Sequence, residues 1–158
     1  MKAATAIWHN QAILSQADLS LNGSLGELQR LTAAVAEFCA ASGLRDDAEF
    51  QLNLVLEELF VNAVRHGGCE GLIDAACVRL RRVPGGVAVE FRDRGLPFDP
   101  SGAPSVDIHA PLAARQDGGL GIHLVREIMR DIDYVRDAGW NVTRMRLDAI
   151  ETSEEVTP

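Results

Sequence analysis

Leu25, Leu28, Leu31, Val35 and Phe38 recur three or four positions apart, the spacing that lines one face of an α-helix. Ser24 precedes them with Glu27 three residues on, the capping-box spacing, and Ser42-Gly43 ends the run. A second apolar set, Phe50, Leu52, Val55, Leu56, Leu59, Phe60 and Ala63, predicts a longer helix. Asp46 or Asp47 can cap it, and Gly67-Gly68 stops it. The period then changes to two. Residues 73–83 read as a strand and Pro84-Gly85-Gly86 as a hairpin signal, after which Val87, Val89 and Phe91 alternate with Ala88, Glu90 and Arg92. Residues 95–118 are dominated by Gly, Pro, Asp and Ser, with room for one short helical turn near 109–115. Gly119-Leu120-Gly121 opens a third helix carrying Leu124, Val125, Ile128 and Met129. Tyr134-Val135 and then Val142, Met145 and Leu147 read as two closing strands. At the other end, weak alternation through Ala12-Ile13-Leu14 predicts an edge strand, with a turn at Ser20-Leu21-Asn22-Gly23-Ser24.

The order is a helix pair, a hairpin, a helix and a second hairpin, so strands and helices do not strictly alternate. That predicts an α+β protein: a two-layer α/β sandwich with three main helices on one face of a mixed, mainly antiparallel sheet. A doubly wound Rossmann-type sheet does not suit the order. With 158 residues and 17.1 kDa the chain fits a single domain, assigned to 1–150. The acidic, polar residues 151–158 are expected to be a disordered tail. No internal repeat or interdomain linker is visible.

Composition narrows the partners more than the fold. A formal net charge of -8 argues against nucleic acid, which needs a basic face to neutralise phosphates. An acidic surface suits a protein partner with a basic patch, though it is more often just a solubility feature. The cysteines, Cys39, Cys69 and Cys77, are odd in number and form no C-x-x-C pair, which fits reduced thiols better than a disulfide framework. No signal peptide is recognisable and no apolar run approaches the ~18 residues of a membrane span, so a cytoplasmic protein without a membrane partner is expected.

Three segments can carry chemistry. In the second helix Glu58, Asn62 and His66 are four apart and project from one face. They form either a solvated stripe or a site, since Asn is a poor mid-helix residue but, beside Glu, supplies oxygen ligands suited to hydrated Mg. Next, the apolar strand ending in Phe91-Arg92 delivers Asp93 before Arg94-Gly95-Leu96-Pro97-Phe98-Asp99-Pro100. That carboxylate can accept a hydrogen bond from an exocyclic amine, or can simply close an Asp-x-Gly turn. Last, Asp117-Gly118-Gly119-Leu120-Gly121 runs straight into a helix, where free amides and the helix dipole favour an anion. No Lys-Ser/Thr follows, so it is not a P-loop, and no strand immediately precedes it, so it is not a dinucleotide fingerprint.

In this order the segments resemble the GHKL (Bergerat-fold) ATPases, with their E-x-x-x-N, D-x-G-x-G and G-x-G boxes. Within that superfamily the chain looks most like the anti-sigma-factor serine/threonine kinases of the RsbW and SpoIIAB type, over roughly residues 19–147. The carrying residues are Leu56-Glu57-Glu58 through Asn62-Ala63 to His66-Gly67, Asp93-Arg94-Gly95 with Phe98-Asp99-Pro100, and Gly119-Leu120-Gly121-Ile122 into Leu124-Val125.

The resemblance implies ATP and Mg as cofactors, a homodimer, and a partner-switching protein kinase. Glu58 would be the general base for an incoming hydroxyl, and Asn62 the Mg ligand. Asp93 would read the adenine amine, with Gly95 letting the base approach, and Gly118, Gly119, Leu120 and Gly121 would meet the phosphates. Arg65 and His66 flank the site, His66 counted with the nucleotide-binding residues and neither given a catalytic role. Pro97 stands where the box has its second glycine and stiffens the loop by fixing φ. Loop 101–117 would be the lid, with Arg115 its one basic residue; His109 and His123 do not share metal-ligand spacing. The implied partners are a STAS-type antagonist (anti-anti-sigma) protein that is phosphorylated, a sigma factor or other regulatory target that is held, and a PP2C-type phosphatase acting on the same antagonist. A non-catalytic, ATP- or ADP-dependent regulator that sequesters a partner without phosphoryl transfer is the alternative. No protein-kinase Gly-rich loop, H-R-D or D-F-G run is present.

Overall fold

The computed structural model describes Trp8, residues 11–102 and residues 119–149, the first two residues of the last stretch by their backbone alone. Its elements run β1 (Ser15–Leu21), a 3-10 turn (Leu25–Glu27), α1 (Leu28–Ala41), α2 (Asp46–Arg65), β2 (Ala76–Val83), β3 (Gly86–Asp93), α3 (Gly119–Ile128), β4 (Arg130–Asp137) and β5 (Trp140–Asp148). The strands form one sheet in the order β1-β2-β3-β5-β4. The three helices pack on one face of it, as the order of elements predicted. Each neighbouring pair is antiparallel, so the sheet expected to be mixed has no parallel pair among the described residues. The reason lies in the last connection: after α3 the chain enters at the edge as β4, and a tight hairpin returns β5 to fill the place beside β3.

The core lies between that sheet and the helices. Leu31, Val35 and Phe38 of α1 and Leu52, Val55, Leu56 and Phe60 of α2 meet Val78, Leu80, Val87, Val89, Phe91, Met145 and Leu147 of the strands. Each such aliphatic or aromatic side chain contributes roughly 1.5–3 kcal/mol by leaving water. Phe50 does not take part. It stands on α2 two residues before Leu52, about 200° around the helix, and is 68% exposed.

Several boundaries differ from those the pattern predicted. The edge strand runs over Ser15–Leu21, not through Ala12-Ile13-Leu14. Its signal is the alternation of Ala17, Leu19 and Leu21 towards the core with Gln16, Asp18 and Ser20 away from it, while Ile13 and Leu14 are exposed. The strand therefore consumes the first two residues of the expected turn. Ser24 accepts from the Gly26 N–H at 3.3 Å, but Glu27 reaches back to the Asn22 N–H at 3.1 Å instead of closing a capping box, and a 3-10 turn precedes α1. The N-cap of α2 is Arg45, with Asp46, Asp47 and Glu49 in the first turn, where their charge suits the helix dipole. β2 starts only at Ala76, because residues 69–72 fold back onto Gly23, whose N–H and C=O bond Leu72 and Gly71 at 2.8 Å.

On the face away from the helices, one row crosses all the strands: Asp18, Arg79, Glu90, Arg144 and Asp133 stand opposite one another in register. Arg79 pairs with Asp18 at 2.5 Å and Arg144 with Glu90 at 2.8 Å. Trp8 lies over this face against Val83 and Ala88, with the Arg81 guanidinium 4.4 Å from its ring centre. Trp140 stacks on Arg92 and Arg94 at 5.1 and 4.6 Å.

Candidate functional site

α2 is the backbone of the site. Glu58 and Asn62, one turn apart, are both half-buried on it, and neither side chain has a hydrogen-bond partner among the described residues. A polar pair so placed in an otherwise packed helix is available to a ligand. The start of α3 lies directly against Glu58: a Cβ on Gly121 would lie 1.8 Å from Glu58 Oε2 and 2.4 Å from its Cδ. Glycine is the residue that lets the two approach.

Past the C-cap of α2, the turn after β3 docks on Gly67. The Leu96 N–H donates to the Gly67 carbonyl at 2.9 Å, and a Cβ on Gly95 would sit 3.0 Å from that oxygen. Glu58 and Gly67 are nine residues apart, roughly 13 Å along a helix. The two glycine segments thus meet the C-terminal half of α2 at two places, one at Glu58 and one just past its last residue.

Asp93, the last residue of β3, is half-buried. Its Oδ1 accepts the Gly95 N–H at 2.8 Å and the Asn141 Nδ2 at 2.9 Å, while Oδ2 has no partner among the described residues. Burial pushes the carboxyl above its ordinary value, with the bonds from Asn141 and Gly95 and the Arg136 charge pulling the other way. Cys69, fully buried, lies near enough that burial first and then the Asp93 charge push its thiol up.

The remaining expected residues are placed as follows. His66 is the exposed C-cap of α2, its N–H bonded to the Asn62 carbonyl at 2.9 Å, and Arg65 is exposed beside it. Pro97 is exposed in the turn after Gly95. Gly119 and Leu120 begin α3, and Gly118, Arg115, His109 and residues 103–117 of the lid lie outside the described residues, as does the tail 151–158. At the start of the segment expected to be a lid, Asp99 Oδ1 accepts the Ser101 N–H at 2.9 Å and hydroxyl at 2.6 Å. Arg126 of α3 ties it down through the Pro100 carbonyl at 3.0 Å. His123 stands 3.9 Å from Glu127 on α3. Among the described residues no three His, Cys, Asp or Glu side chains converge as metal ligands.

The residues that sequence reasoning missed are on the last hairpin. Asn141 is 2% exposed and stands beside Asp93 in the β3–β5 register. Its Nδ2 also reaches the Leu96 carbonyl at 2.8 Å and the Gly95 carbonyl at 3.4 Å. Its Oδ1 accepts from the Tyr134 hydroxyl at 2.5 Å and from Arg136 at 3.0 Å, and Arg136 also donates to the Gly95 carbonyl at 2.6 Å. The signal was present: Asn141 and Thr143 share the face of Met145 and Leu147, polar residues at inward positions of a strand.

A model of the histidine kinase-like ATPase domain matches residues 21–147, most of the chain. The chain belongs to that family. It is 34% identical over 92 residues to the serine/threonine-protein kinase BtrW of Bordetella bronchiseptica, covering 58% of this chain and 65% of BtrW. It also superposes on the crystal structure of the RsbU and RsbW domains of a Mycobacterium tuberculosis protein, with TM-score 0.63 and 15% identity, over 85% of this chain and 32% of that one. The second likeness establishes the fold that the glycine boxes pointed to. In both cases the chain spans less than two-thirds of the relative's length.

Proposed function

We propose that this family member binds Mg-ATP along α2 and transfers the γ-phosphate to a serine or threonine hydroxyl of a protein. The observation that carries the reading is the approach of both glycine segments to the C-terminal half of α2, Gly121 at Glu58 and Gly95 at Gly67 just past the helix end. The 34% identity to a serine/threonine-protein kinase supports the reaction class.

The residues fit the nucleotide. Asp93 offers to a base amine its Oδ2, which has no partner among the described residues, Gly95 lets the turn close onto Asp93 and Gly67, and the start of α3 offers helix N-terminal amides to an anion. Asn62 would hold the Mg ion, whose charge offsets that developing on the transferred phosphoryl group. Glu58 is placed one turn away, where it accepts the proton of the attacking hydroxyl. Phosphoryl transfer asks the protein mainly for positioning and charge, and a base beside the metal ligand supplies both.

The physiological acceptor in this reading is a STAS-type antagonist of a partner-switching system, with a sigma factor or other regulator as the alternately bound target and a PP2C-type phosphatase reversing the mark. Magnesium, γ-labelled ATP and a panel of such antagonists test it directly. Wild-type protein should label one of them on serine or threonine. Glu58→Ala should lower the rate roughly 10²–10⁴-fold while leaving ADP affinity nearly unchanged. Nucleotide binding without any transfer would overturn the kinase assignment in favour of a sequestering regulator. Full transfer by Glu58→Ala would remove Glu58 as the base.

A further inference from the structure

The base-reading carboxylate is not left to find its own orientation. Asn141 is an amide with two hydrogens on one side and an acceptor oxygen on the other, so its usefulness depends on which way it faces. Arg136 can only donate, and it sits 3.0 Å from the amide oxygen, as the Tyr134 hydroxyl does at 2.5 Å. On the opposite side stand three oxygens: Leu96 O at 2.8 Å, Asp93 Oδ1 at 2.9 Å and Gly95 O at 3.4 Å. The carbonyls can only accept. The amide therefore has one satisfactory orientation, fixed from both ends. It joins β5 to β3 and to both peptide carbonyls of the turn that follows.

We propose that Asn141, itself held by Tyr134 and Arg136, is the positioning residue that aims Asp93 at the base and so sets the preference for a 6-aminopurine over a 6-oxopurine. The proposal rests on the ATP-site reading above. Its logic is geometric. Asn141 and the Gly95 N–H both occupy Oδ1, which fixes the carboxylate rotamer and leaves Oδ2 as the acceptor for a donor on the ligand. A 6-amino group donates to that oxygen, whereas a 6-oxo group opposes it with another acceptor. A site built to hydrogen-bond one partner discriminates strongly against a ligand that cannot supply it, because the buried group is then left unpaired. The same amide closes the Gly95-Leu96 turn, so the stiff Pro97 is reached from a turn already fixed at two carbonyls.

Calorimetric titration of the full chain with ADP and with inosine diphosphate separates this role from simple support of the fold. Wild type should prefer ADP by about tenfold or more, the scale of one well-made polar contact. Asn141→Asp replaces the donor by an acceptor facing three oxygens. It should lower ADP affinity about tenfold and inosine diphosphate affinity less than about threefold, erasing most of the preference. Arg136→Met, which removes a donor reaching in from the exposed edge strand, should shift the ratio in the same direction by about threefold; it carries the test alone if Asn141→Asp does not fold. Equal losses for both nucleotides in folded protein, or an unchanged ratio in Arg136→Met, overturn the proposal. A wild type that binds both nucleotides equally well instead removes Asp93 as the adenine reader, and the proposal with it.

Discussion

Glu58 and Gly121 approach so closely that an added side chain must move one of them. A methyl group on Gly121 would displace the carboxylate end of Glu58, a flexible chain, without striking the core. Gly121→Ala is therefore expected to lower phosphoryl transfer about 10²-fold, because a misplaced base loses its geometry. The melting temperature should fall by only a few degrees, so activity and thermal unfolding measured on the same preparation separate the two effects. At this scale spacing marked Glu58 with Asn62 and Asp93 with Gly95 as candidates, and the structure sets the first pair one turn apart on α2 and bonds the second. Asn141 was not legible, for its neighbours Val142, Met145 and Leu147 were read as strand apolars without regard to face. Met145 and Leu147 point to the core with Asn141, whereas Val142 points the other way and is buried beneath the opposite face.

α2 shows how helical spacing can identify an element and still misassign one of its members. Phe50 joined the predicted apolar set because it is large and near Leu52, yet the angle between them places it in solvent. Urea unfolding should show this: Leu52→Ala should cost about 2–5 kcal/mol, and Phe50→Ala within about 0.5 kcal/mol. The strand β1 presents the reverse case. Its alternation was present in Gln16, Ala17, Asp18 and Leu19, but the more apolar Ile13-Leu14 drew the reading two residues early. Pairing with β2, which turns Ala17, Leu19 and Leu21 towards the core, decided the matter. Local composition does not contain that information.

For the molecule as a whole, the polar site at the end of the sheet is a source of strain against a well-filled interior. Asp93 is held above its unfolded value, 3.8, by burial. A carboxyl raised in this way favours the folded state fully below the unfolded value, and that contribution is lost as pH rises through the folded one. Asp93→Asn keeps an acceptor for the Gly95 and Asn141 donors and removes the ionisation. Its melting temperature relative to wild type should therefore climb as pH rises from about 3.5 to 7, measured by circular dichroism; a constant difference would contradict the sign of the shift. The overall architecture, helices on one face of a largely antiparallel sheet, followed from the order of elements. The position of β5 between β3 and β4 did not, because it depends on which edge the chain takes after α3. That insertion also stacks Trp140, the residue before Asn141, on Arg94, the neighbour of Asp93. The chain has two tryptophans, and Trp8 lies on the same face of the sheet at the other end of β3, against Val83 and Ala88. One indole thus stands beside the Gly95 turn and the other away from it, so if the proposed nucleotide site is there, the unlabelled protein carries its own fluorophore for the ligand and an internal reference for it.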